Sequence, residues 1–406
     1  MTADTSIVDK GAKSGTEYAY VVRCYNDYNV YTSNYDKNGV KFICLNAGKI
    51  TSAENGNGQV TLKWNQVSGA DGYYVYRKEY GGSYKQIATV KGEKNVSYTD
   101  KDATLTSSTV YVYAVRPYCG DTMGSFTGRC NTYLSTGVIT SLSHTGNAIA
   151  VKWDAIDGAE GYYVYRKEYG GTYKQIAKVE GHDTLTYSDP SSSFKSGTTY
   201  VYAIRGYNGG SRGWFAGKCV NYLASGNITS LYNSNDGIIV KWNKVAGAKG
   251  YYVYRKEYGG SYSKIATIKK GSTVSYTDKK AQNGVTYVYA VRPYNGNDSG
   301  YFTGKVVCRL QTPTITDVVS IGQGQVGIAW KENLEADGYQ LQLADTSKFA
   351  KNETQQENVS VANGNAVAIE GLQKGETFYF RVRSYKKVGN KTDFSAWSTK
   401  SVKVTQ

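Results

Sequence analysis

The residues in this chain with chemical reach are two histidines, six cysteines and an unusual number of tyrosines. His144 and His182 occur in unlike sequence settings. Histidine is the first resource of acid–base chemistry at neutral pH, yet neither one lies in a nucleophile, zinc or phosphate-loop spacing. Asp and Glu are plentiful, but no carboxylate pair recurs in a cleft-like context. The sequence therefore predicts no catalytic residue, no enzymatic activity, no cofactor and no metal. Asn233 to Gly237 has residue types found in calcium loops, although turn formation alone accounts for that run. Asp100, Asp189 and Asp278 each follow a tyrosine by two residues (Tyr98, Tyr187, Tyr276) and read as turn caps.

Cysteine chemistry is open in one respect. Cys24 and Cys44 flank one predicted hairpin, and Cys119 and Cys130 flank another, so two hairpin disulfides can form in an oxidising compartment. Cys219 and Cys308 recur near the last strand of their repeats without a partner, which reads the cysteine at that strand first as a small buried apolar residue. No Cys-x-x-Cys occurs, so a redox role is not expected.

Tyrosine is the outlier, at 40 residues against 9 Phe and 6 Trp. Alternation along Gly72-Tyr-Tyr-Val-Tyr-Arg77 points Tyr73 and Val75 inward and Tyr74 and Tyr76 outward. The outward pair returns as Tyr163 and Tyr165, and again as Tyr252 and Tyr254, whereas the fourth copy has Gln340 and Gln342. Beside them stand Arg77 and Arg116, with Arg166 and Arg255 at the positions matching Arg77. Such rings and cations could stack on sugar rings or on a partner's aromatic side chains. Cross-strand pairing within the sheet is the other use of the same residues. The Arg-Lys-Glu-Tyr-Gly-Gly stretch reads by default as solvated turn.

These residues must be positioned by elements, and repetition shows which. Trp64, Trp153, Trp242 and Trp330 recur at intervals of 89, 89 and 88 residues. A unit of that length is too long for a solenoid repeat and suits a small independent sandwich. Within a unit, Val60, Leu62 and Trp64 alternate with Thr61 and Lys63, as a half-buried strand requires. Gly81-Gly82 marks a hairpin turn, Tyr111 to Val115 alternates again, and no segment carries helical periodicity. About seven short strands per unit make an all-β chain.

The strand tryptophans, the Gly-Tyr-x-Val/Leu strands starting at Gly72, Gly161, Gly250 and Gly338, and the aromatic residues Tyr111, Tyr200, Tyr287 and Phe378 or Tyr379 together resemble the fibronectin type III family, notably the versions in Gram-positive bacterial cell-surface and secreted proteins. The resemblance covers essentially the whole chain. It implies tandem immunoglobulin-like β-sandwiches, with a tyrosine corner at the aromatic position, and it specifies function poorly because the fold hosts many roles. In the last unit, Phe394, Trp397, Arg381 and Arg383 resemble the family's Trp-Ser element with its stacked arginines, which implies a structural cation–π ladder.

Recurrent Ile-Thr starts at Ile50, Ile139, Ile228 and Ile315 place modules at 49–137, 138–226, 227–313 and a diverged 314–406. Residues 1–48 hold only two strand-like runs and read as the tail of a truncated upstream module. Linkers of a few residues predict an elongated, monomeric rod, spanning on the order of 100–140 Å over four modules.

The charge of +15 is concentrated upstream of Thr314, after which 11 Lys/Arg balance 10 Asp/Glu. A basic surface attracts anionic polymers, but no Arg/Lys block of a nucleic-acid arm is present, so nucleic acid is not an expected partner. No apolar run approaches the ~18 residues of a membrane span. No signal peptide or anchor is visible, consistent with a fragment. The expectation is a non-catalytic stalk or spacer, extracellular or cell-wall associated. The alternative is an adhesive module that holds polysaccharide, cell-wall polymer or a host surface protein through the outward tyrosine pairs.

Overall fold

A computed structural model describes residues 5–146, 148–190, 192–350, 354–360 and 364–405. Every regular element among them is a β-strand, and no helix is long and apolar enough to cross a membrane. The chain divides into two compact units. One comprises residues 1–143, 150–189 and 200–219, and the other 144–149, 190–199 and 220–406.

In the first unit, β1 (Glu17–Tyr20) and β2 (Val40–Ile43) form a two-stranded antiparallel sheet. Next come β3 (Ile50–Gly56), β4 (Gln59–Trp64), β5 (Gly72–Glu79), β6 (Lys85–Lys91), β7 (Ser97–Asp100), β8 (Val110–Cys119), β9 (Thr122–Met123) and β10 (Arg129–Thr132). They make a three-stranded sheet, β3-β4-β7, and a larger sheet, β10-β8-β5-β6, with β9 on β8. The alternation read from sequence sets which face is buried: Val60, Leu62 and Trp64 from one sheet meet Tyr73, Val75, Tyr113 and Val115 from the other. Burying such side chains contributes about 1.5–3 kcal/mol each. Trp64 lies edge-on to Tyr73, with ring centroids 5.4 Å apart. The Tyr73 hydroxyl accepts the Val67 N–H at 2.9 Å and donates to the Glu93 carbonyl at 2.8 Å, so this buried ring leaves no polar atom stranded.

The second unit repeats the plan twice. Ile228–Ser234, Gly237–Trp242 and Ser275–Asp278 form one sheet, and Gly250–Glu257 lies between Ser263–Ile268 and Thr286–Asn295 in the other. The last repeat pairs Ile315–Gly322, Gln325–Trp330 and Ala366–Ile369, and packs that sheet against one centred on Gly338–Ala344 and Thr377–Val388. The chain is a tandem array of fibronectin type III-like β-sandwiches.

Two local features follow the sequence reading. The Tyr111 hydroxyl accepts the Thr106 N–H at 3.1 Å, and that of Tyr287 accepts the Gln282 N–H at 3.2 Å, the tyrosine corner. Gly81 has φ 84° at its hairpin, where a Cβ would be strained.

The disulfides are a correction. All six cysteines are free. Cys119 is in register with Thr122, whereas Cys130 faces Val112, seven residues further along β8. That is roughly 23 Å of strand, well beyond the ~7 Å Cα separation a disulfide tolerates. Cys44 exchanges backbone bonds with the Thr16 end of β1, while Cys24 bonds Thr32 and Ser33. Flanking a hairpin in sequence did not make these residues partners, because each pair is offset along the ladder.

Candidate interaction faces and joints

Arg77, Arg166 and Arg255 do not project from the hairpins as free cations. Arg77 Nη1 pairs with Asp100 Oδ2 at 2.8 Å, and Nη2 pairs with Asp102 at 2.7 Å. The Tyr113 hydroxyl donates to the same Asp100 oxygen at 2.9 Å. Arg166–Asp189–Tyr202 and Arg255–Asp278–Tyr289 repeat the trio. Burial, followed by the neighbouring aspartate, pushes the tyrosine pKa values up. The aspartates read as turn caps are thus also buried acceptors, which bridge the two sheets of each sandwich. Arg116 turns to the backbone, its Nε donating to the Gly124 carbonyl at 2.9 Å.

The outward tyrosines are half buried, each under a neighbouring ring. In the first unit, Tyr74 stacks on Tyr118 at 4.5 Å and Tyr76 on Phe126 at 5.7 Å, with Tyr84 edge-on to Phe126. Tyr163 meets Tyr207, and Tyr165 stacks on Phe215, which stacks in turn on Trp214. The second unit repeats this with Tyr252 on Tyr294 and with Tyr254, Phe302 and Tyr301 in a column. The end rings Trp214 and Tyr301 are 44% and 41% exposed, and they offer more open surface than the half-buried strand tyrosines. The sequence reading missed Phe126, Phe215 and Phe302, although their recurrence at near-module spacing was visible.

The last repeat has the cation–π ladder. Arg383 lies 3.8 Å from the Phe394 centroid and 4.3 Å from that of Trp397, and Arg381 lies 4.5 Å from Trp397. Gln340 and Gln342 accept from Arg383 and Arg381. Burial, and then the Arg381 charge, depresses the Arg383 pKa to about 10. The turn Asn233 to Gly237 receives a cation from the chain itself: buried Arg309 donates to the Ser234 carbonyl at 2.8 Å and approaches Asn233 Oδ1 at 3.4 Å.

A second recurring constellation lies where one repeat meets the next. In the first unit, Ser14 Oγ accepts the Asn46 N–H at 3.0 Å and donates to the Ser68 carbonyl at 3.0 Å. Ser107 does the same between Ser135 and Asp157. In the second unit, Ser196 links Ala224 to Ala246, and Asn283 links Gln311 to Asn333. A second contact accompanies these bridges. Ser211 Oγ accepts the Thr132 N–H at 3.0 Å within the first unit. Within the second unit, Asp298 accepts that of Asn221 at 2.9 Å and Asp393 that of Cys308 at 2.8 Å. The side chain of one repeat therefore completes the backbone bonding of another.

No family model matches the chain. An amylopullulanase of Thermoanaerobacterium thermosulfurigenes is 24% identical over 401 residues, covering 80% of this chain and 21% of that protein. A Kelch domain-containing protein of Sulfurisphaera tokodaii is 27% identical over 170 residues, 40% of this chain and 22% of that protein. The chain spans about a fifth of the length of these curated relatives. Among solved structures, the chicken CNTN1 FN1–FN3 domains are similar at 16% identity, covering 68% of this chain and 99% of that one, with a TM-score of 0.25.

Proposed function

We propose that this chain is a non-catalytic spacer in an extracellular or cell-wall-associated protein, holding other parts of its parent at a set distance. The observation that carries the reading is the recurring joint. A serine or asparagine (Ser14, Ser107, Ser196, Asn283) ties the outgoing linker to a loop of the following repeat, and at the last three of these a hairpin side chain adds a second contact. Two-point joints limit bending between sandwiches, which a spacer needs and a flexible tether does not. The match to about a fifth of an amylopullulanase is compatible with such an accessory segment.

The test is the distribution of end-to-end distance in the full chain, measured by single-molecule fluorescence transfer between terminal dyes. A narrow distribution that broadens when Ser107, Ser196 and Asn283 are all changed to Ala supports the reading. A broad distribution in the parent chain refutes it.

A second reading, adhesion to glycan, is favoured by the exposed rings of Trp214 and Tyr301 above the tyrosine columns. Its check is binding of pullulan and cell-wall polysaccharide to the chain with Trp214 and Tyr301 changed to Ser. Loss of saturable binding in the folded variant favours adhesion, and absence of binding in the parent excludes it.

A further inference from the structure

Inside the second unit a groove opens beside Asp393, built from two adjoining cavities of about 500 and 380 Å³ that share Leu231, Lys391 and Asp393. Each falls within the ~300–1,000 Å³ usual for small-ligand sites, which favour such seams between folded modules. Thr229, Ser230 and Thr392 supply hydroxyls, and Tyr232 is 39% exposed with Lys241 over its ring at 5.7 Å.

Charge is the distinguishing feature. The groove's carboxylate, Asp393, is 4% exposed and fully engaged: Oδ2 accepts the Cys308 N–H, and Oδ1 pairs with Lys391 at 2.6 Å. Lys391 also donates to the Val306 carbonyl. Two more cations line the groove, Lys305 and Arg383, and among the described residues neither has a carboxylate partner. Arg383 Nε and Nη2 both donate to Gln340 Oε1. The groove thus holds two cations without a carboxylate partner among the described residues, exposed Lys305 and Arg383 stacked on Phe394 and Trp397, beside an accessible ring and several hydroxyls. The residues matching Tyr232 at the 89-residue spacing are Ser143 and Glu54, so the ring is particular to this place.

We propose that this groove binds a short acidic oligosaccharide, with uronic carboxylates meeting Lys305 and Arg383 and a sugar ring lying on Tyr232. Hydroxyls of the sugar meet Thr229, Ser230 and Thr392. The site is separate from the tyrosine columns and does not depend on the spacer reading.

The test uses the full chain with trigalacturonic acid as probe, beside its methyl ester and a hexaglutamate peptide, by calorimetry at physiological salt. The expected result is saturable binding of the acid at one site. The ester, the peptide and the folded variants Tyr232→Ser and Lys305→Glu are each expected to bind about tenfold or more weakly, roughly 1.4 kcal/mol. Both variants alter exposed side chains, and circular dichroism checks their fold. Absence of saturation, unchanged affinity in both variants, or ester or peptide binding as tight as the acid would overturn the proposal.

Discussion

The same three positions hold opposite chemistry in the first full repeat and the last. At the register where Arg77 faces Tyr113 in β5 and β8, the last repeat sets Leu343 opposite Phe380. Where Asp100 pairs with Val60, Ile369 pairs with Val326. A hydrogen-bonded Arg–Asp–Tyr trio is thus exchanged for Leu, Ile and Phe within one strand order. The outward faces differ in the same way, with tyrosine columns in one and an arginine–tryptophan ladder over glutamines in the other. A sandwich of this kind needs these places filled and their polar atoms satisfied, and it accepts either solution. Buried ion pairs often contribute little over apolar residues of similar volume, yet breaking one of them is costly.

That comparison can be broken most sharply at the trio. Arg77→Leu alone leaves Asp100 buried with one cation removed, and should cost about 3–5 kcal/mol in urea unfolding. Adding Asp100→Ile and Tyr113→Phe transplants the last repeat's solution and should restore most of that loss. If the triple variant is as unstable as the single one, the two solutions are not interchangeable.

The joints come next in size. Asp298→Ala strips the Asn221 N–H of its acceptor and should cost about 1–3 kcal/mol. It should also speed proteolysis near residues 221–226 relative to the parent chain. Equal cleavage in both would remove this aspartate from the joint.

The aromatic columns should respond more mildly. Tyr76→Ser loses stacking on Phe126 worth about 0.5–1.5 kcal/mol beyond the area it buries. Gln342→Tyr in the last repeat should gain nothing, because Arg381 already bonds that glutamine. A gain there would show that the ladder and the column are not equivalent fillings.

The smallest effect concerns pH. His144 stands where Asn55 and Asn233 stand in neighbouring repeats, and those asparagines donate to the Thr132 and Cys308 carbonyls. His144 instead stacks on Tyr222 at 5.4 Å, with its ring buried against the Asn221 and Leu223 backbone. Burial lowers its pKa from 6.5, with Asp298 and the Asn221 and Leu223 backbone opposing that shift and Arg292 adding weakly to it. The unfolded chain therefore takes up a proton first as pH falls. Stability from this group is complete above about pH 6.5 and declines on acidification towards the lower folded value. His144→Asn should reduce the loss of melting temperature between pH 7.5 and 5.5, and an unchanged loss would place the sensitivity elsewhere.

Much of this molecule was legible without coordinates. The 89-residue recurrence, the period-two alternation and the glycine turns determine a repeated all-β sandwich, because a strand that must bury one face announces it residue by residue. Tyr73 inward and Tyr74 outward needed nothing further, and the ladder around Trp397 was what the resemblance of Phe394, Trp397, Arg381 and Arg383 to the family's Trp-Ser element implied. Tertiary structure decided what lay beyond the reach of a single strand. Arg77 sits at a hairpin in sequence, yet it meets Asp100 from the opposite sheet, 23 residues away. Cys119 and Cys130 flank a hairpin, yet ladder register holds them apart. Ser107 reads as an ordinary turn residue until Asp157, 50 residues on, arrives to accept its hydroxyl. Sequence periodicity reports the burial each residue needs, whereas partners across sheets and joints depend on register and packing that no local pattern encodes.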